Sequence, residues 1–134
     1  MNPKFALATL VVAFSIVGGG QAHGEDLFVI ANSATIIAAG DIKDVFTGEK
    51  QFAGSAKLIP VDNNSAQETF LSTVLGMSVA HYHTLWTKKM FREGVAPPML
   101  KTNDSEVISF VRKTKGAVGY VRIEPQGVGI IGKY

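Results

Sequence analysis

Three short apolar runs set the main constraint on this chain. Residues 26–31 (DLFVIA), 57–61 (KLIPV) and 117–123 (AVGYVRI) have the length of buried strands and are too short for core helices. Between them, apolar residues recur at helical spacing. Ile42, Val45 and Phe46 share a face behind Asp41, which suits an N-cap, and Gly48 is a stop. Phe70, Leu71, Val74 and Leu75 form a second such face, ending at Gly76. Val79, Tyr82, Leu85, Trp86 and Met90 form a third, from a Ser78 cap to Gly94. Val107, Ile108 and Val111 form the last, behind Asn103 or Asp104, and it closes on Lys113, Lys115 and Gly116, where basic residues complement the helix dipole. Residues 49–55 read as a loop, 96–99 as a Pro-Pro linker and 128–131 as a short final strand. Pro60 predicts an edge position, or a strand end, for its run. Strands alternating with single or paired helices predict an α/β sandwich, one domain with a mostly parallel sheet flanked by helices.

The first 22 residues are expected to stand apart as a signal peptide. Residues 1–4 carry one Lys, residues 5–17 are uncharged and apolar, and Gly20 and Ala22 supply small residues before a cleavage point. The apolar run is shorter than the roughly 20 residues a membrane span needs. No Cys stands at the cleavage point to accept a lipid. The expected domain is therefore residues 23–134, exported to the periplasm and not inserted in a membrane. Removing residues 1–22 takes away only Lys4, leaving 12 basic residues against 11 acidic. A charge of +1 gives no polybasic signal for nucleic acid. The absence of Cys excludes disulfides and thiolate chemistry.

Catalytic and metal signatures are weak. His81 and His83, two apart on a helix, point about 200° away from each other and cannot share one ion. No H-E-x-x-H or G-x-S-x-G occurs, and no acidic pair suits glycoside chemistry. The reading is a protein that is not an enzyme, with no cofactor and no metal. Trp86, Tyr82 and Met90 read as core.

The loop Asp62-Asn63-Asn64-Ser65-Ala66-Gln67-Glu68 follows a strand and opens a helix. Free backbone N–H groups of a first helical turn, with Asn and Ser side chains, suit a phosphate-like or carboxylate anion. The same letters spell an S-x-x-E capping box, in which Ser65 and Glu68 serve the helix itself. Both readings stand on the local chemistry.

The order of segments resembles a known family. Residues 41–50 (DIKDVFTGEK) are similar to the D-I-x-x-I-F-x-G-K segment of phosphate-type periplasmic substrate-binding proteins of ABC transporters. Residues 58–62 followed by Glu68-Thr69-Phe70 resemble that family's strand, anion loop and x-E-x-F helix, and residues 107–121 (VISFVRKTKGAVGYV) resemble its V...V..T.GAIGYV closure. The resemblance covers residues 26–123. Full-length members have two lobes that clamp the anion; this chain supplies about one. Their R-x-x-G-S-G-T loop falls here with Ser-Gly-Thr on Asn64, Ser65 and Ala66 and the preceding Gly on Asn63, and no Arg lies between Lys57 and Phe70.

The resemblance implies an α/β fold, a single periplasmic-binding-protein-like lobe with a mostly parallel sheet. It further implies a solute-binding role, with phosphate or a similar oxyanion held weakly at Asn63, Asn64, Ser65 and the backbone of Ala66. Ser33, after the first strand, would complete the site if its loop faces the same way. The alternative is a ligand-free interaction module whose partner is a transporter or envelope protein. A homodimer would close two lobes over one site.

Overall fold

The computed structural model describes residues 26–134; the expected signal peptide lies outside the described residues. A mixed five-stranded sheet runs in the order β5–β4–β6–β1–β7. Its members are β1 (Phe28–Ala31), β4 (Ile59–Asn63), β5 (Met99–Lys101), β6 (Ala117–Val121) and β7 (Gly129–Lys133). Strand β4 pairs parallel with both β5 and β6, whereas β1 pairs antiparallel with β6 and β7. Four of the five strands therefore point the same way and β1 opposes them. The expected loop, residues 49–55, carries the first strand and turn of a small hairpin, β2 (Phe52–Ala53) paired with β3 (Ala56–Lys57), which takes Lys57 from the run expected as a strand.

Helices cover both faces. Helix α1 (Ile42–Phe46), preceded by a 3-10 turn at Ala39–Asp41, packs on one face with α2 (Gln67–Phe70) and α3 (Val79–Glu93). Helix α4 (Asp104–Lys113) packs on the other. Alternation along β6 serves both layers: Val118 and Tyr120 join the first cluster, Ala117 and Val121 the second. In the larger cluster Tyr120 stacks on Phe70, with ring centroids 3.8 Å apart and planes 5° from parallel, and Phe46 meets both edge-on.

The helix ends follow local chemistry, with corrections. Ser78 caps α3 by accepting from the His81 amide, and Asn103 caps α4 by accepting from Glu106 N–H. Asp41 holds the N-cap position of α1 without a side-chain bond. Helix α2 runs into a π-helical turn, Leu71–Leu75, that closes on left-handed Gly76, and α3 closes on left-handed Gly94. The capping box expected at Ser65 and Glu68 does not form. Ala66 stands at the N-cap of α2 with no side-chain bond. A variant of that pairing operates at α4, where Glu106 also accepts from the N–H of Thr102, the residue before the Asn103 cap. Met90, expected inside, is 46% exposed.

Two strand expectations also change. Residues 99–101 pair with β4 as β5 rather than ending a linker. Pro60 sits in an interior strand, yet its missing donor costs no ladder bond. Ile59 N–H donates to Gly116 C=O, so the next residue's nitrogen faces the other side, where β5 begins only opposite Val61.

Candidate functional site

Strands β4, β5 and β6 all end at one rim of the sheet, and their following loops meet there. This is where ligands gather in open α/β sheets. The loop after β4 carries Asn64 and Ser65, that after β5 opens helix α4 at Asn103 and Asp104, and β6 is followed by Arg122. A groove of about 590 Å³ lies between them, lined by Ser65, Asn103, Asp104, Ser105, Ser109, Arg112 and Arg122 among others.

Asn63 organises this rim from below. Its side chain is fully buried and uses every hydrogen bond an amide can make. The Nδ2 group donates to Asp104 Oδ1 at 2.8 Å and to Tyr120 C=O at 3.0 Å. Its Oδ1 accepts from Ser65 N–H at 3.0 Å and from the Ser65 hydroxyl at 2.7 Å. Asn64 N–H donates to Lys101 C=O, and Ala66 N–H to Asn63 C=O. The four loop residues named from sequence are thus brought together, but the amides of Asn64, Ser65 and Ala66 already have acceptors. The amides of Gln67, Glu68 and Thr69 remain as first-turn donors without intrahelical partners.

Ser33 lies elsewhere. Because β1 runs against its neighbours, Ala31 sits opposite Val118, and Asn32 N–H donates to Ala117 C=O at the start of β6. Ser33 therefore belongs to the opposite rim from Ser65. The condition placed on it, a loop facing the same way, is not met.

Arg122 enters the site unannounced by the loop motif. Its Nη2 donates to the Thr69 hydroxyl at 3.0 Å and its Nε to Ser65 C=O at 3.4 Å, so the guanidinium lies across the first turn of α2. Its own backbone N–H donates to Asp104 Oδ2 at 3.0 Å, which orients the residue as β6 ends. Both Asp104 oxygens are thereby engaged. Arg112 reaches the groove from α4 and donates through Nε to Gln126 C=O. With two guanidiniums against one carboxylate, the groove lining carries a formal +1. A signal for Arg122 existed in the sequence, a basic residue immediately after the Gly-Tyr-Val strand. Its significance required knowing that β6 ends beside β4.

Behind the loop lies a buried acid. Asp62 accepts from the Tyr82 hydroxyl at 2.9 Å and from the Tyr120 hydroxyl at 2.8 Å. Burial pushes its carboxyl up to about 6, opposed by those two hydrogen bonds and by the nearby His83. Burial, and then the Asp62 charge, raises both tyrosines well above their ordinary value. Among the described residues no three His, Asp or Glu side chains are grouped to hold a metal, and no helix is long and apolar enough to cross a membrane.

No family model and no curated protein matches the sequence. Solved structures do match the fold. An ABC-type phosphate transport receptor from Vibrio cholerae superposes with a TM-score of 0.56 over 78% of this chain and 44% of its own, at 17% identity. PstS from Borrelia burgdorferi gives a TM-score of 0.56 over 87% of this chain and 54% of its own, at 14% identity. The chain spans about half the length of these receptors. It shares with part of these receptors an α/β fold, a mostly parallel sheet flanked by helices.

Proposed function

We propose that this chain is a non-enzymatic, exported solute-binding domain that takes phosphate or a similar oxyanion weakly at the rim where β4, β5 and β6 end. The observation that carries the reading is the Arg122 guanidinium lying across Ser65 and Thr69 at the first turn of α2. A guanidinium offers several donors in a fixed plane and keeps its charge at any working pH. Arg122 takes the part of the arginine missing from the loop. The first-turn amides of α2 and α4 and the Ser105 hydroxyl supply further donors, while Asn63 holds the loop and binds nothing itself. With an open groove on one side only, the anion stays partly hydrated, so affinity is low. The proposed location is the periplasm.

The second reading is a ligand-free interaction module, contacting a transporter or another envelope protein. The saturated loop amides and the acid buried behind them favour it, since both reduce the pull on an anion. Titration of wild type and Arg122→Gln with phosphate separates the two. Heat that depends on Arg122 supports the receptor, and no heat supports the module.

A further inference from the structure

A second concavity opens at the other rim, where β4 and β5 begin. It has a volume of about 580 Å³ and is lined by Pro60, Trp86, Pro97, Pro98, Lys50 and Lys57 among others. Its origin is a mismatch in the sheet. Strand β5 starts opposite Val61, so the first residues of β4 have no neighbour on that side. An unpaired strand edge normally exposes amides that need water or another strand. Here Pro60 has no N–H, and Ile59 N–H is spent on Gly116 C=O across the sheet. The result is an apolar wall without an amide to satisfy, facing the prolines that lead out of α3.

Charge is one-sided in this cavity. Among the described residues neither Asp nor Glu contributes to the lining, while Lys50 and Lys57 both do. Neither lysine forms an ion pair among the described residues. Lys57 Nζ stands 5.7 Å from the Phe52 ring centroid. The volume falls within the usual range for small-molecule sites, which combine mostly apolar walls with a few fixed polar groups.

We propose that this cavity binds a small amphipathic carboxylate, its apolar body against Trp86 and the prolines and its acid group at Lys50 and Lys57. The site is independent of the Arg122 groove. Trp86 is the only tryptophan in the sequence, so its emission reports occupancy directly.

The test titrates the purified chain with decanoate, using 1-decanol as the uncharged control. Decanoate should change Trp86 emission saturably. The double variant Lys50→Gln/Lys57→Gln should bind it about fivefold more weakly, as expected for partly exposed charge pairs, and should bind decanol as wild type does. Ala96→Phe, made at an exposed lining position, should abolish the decanoate response while the melting curve stays in place. Added phosphate should leave the decanoate isotherm unchanged. No saturable change through the millimolar range overturns the proposal. So does a decanoate response that is the same in Ala96→Phe or in the double lysine variant.

Discussion

The Ser65 hydroxyl donates to the side-chain oxygen of Asn63 at 2.7 Å, so the two polar residues best placed to meet an anion hold one another instead. The consequence for stability is asymmetric. Ser65 is exposed and gives up one hydrogen bond when truncated. Asn63 is buried and leaves Tyr120 C=O and the Ser65 amide without partners. Ser65→Ala should cost about 0.5–1 kcal/mol and Asn63→Ala about 3 kcal/mol in urea unfolding. Equal losses would mean that Asn63 does not organise the rim.

Asp62 makes folding depend on pH in an unusual direction for an acid. Its carboxyl is raised from 3.8 to about 6 in the native chain by burial. Between those values the native state keeps a proton that the unfolded chain has lost, so this group makes stability rise as pH falls from about 6 towards 4. Above pH 6 the buried charge costs roughly 3 kcal/mol. Asp62→Asn should match or exceed wild-type stability at pH 7.5 and remove most of the gain seen between pH 7.5 and 5. Melting temperatures at the two pH values check this. A variant that keeps the same pH slope would show that another group titrates.

Gly119 lies beneath α4 with no room to spare. A Cβ there would fall 2.6 Å from Val107 Cγ1 and 3.2 Å from Val61 Cγ2. Gly119→Ala should therefore destabilise by about 1–3 kcal/mol through overpacking. Combined with Val107→Ala, the loss should be smaller than the sum of the two single losses, because the second change makes the space that the first needs. Strict additivity in urea unfolding would contradict the contact.

The Asn103 cap is expected to contribute about 1 kcal/mol, measurable as the loss in Asn103→Ala. Ser65→Ala, by contrast, should leave helix content unchanged in circular dichroism, since α2 takes no cap from it.

Much of the fold was legible in the sequence, and the site much less. Helix α3 was bounded by its own cap and stop, Ser78 and Gly94, and needed no tertiary information. Strand β5 was hidden because three residues after two prolines make no periodic signal; it exists through its pairing with Val61, Asp62 and Asn63. The mostly parallel sheet followed from the alternation of strands and helices, but the reversal of one strand did not, and the antiparallel β1 is what separates Ser33 from Ser65. The Gly-Ala-Val-Gly-Tyr-Val segment, so telling as a resemblance, is structural in the details visible here. Gly116 has φ of 89° and packs so closely on the Lys57 carbonyl that a side chain would collide. Gly119 admits α4, and Tyr120 stacks on Phe70 and reaches Asp62. Arg122, the next residue but one, gains its meaning only from the neighbouring loop that the sheet brings to it.

The most direct test of the oxyanion reading is isothermal titration of the purified chain with phosphate at low salt, comparing wild type, Arg122→Gln and Ser33→Ala. The account predicts weak saturable binding in wild type, the same in Ser33→Ala, and about tenfold weaker binding in Arg122→Gln. Wild-type heat that survives unchanged in Arg122→Gln, or no heat in wild type at all, would contradict it.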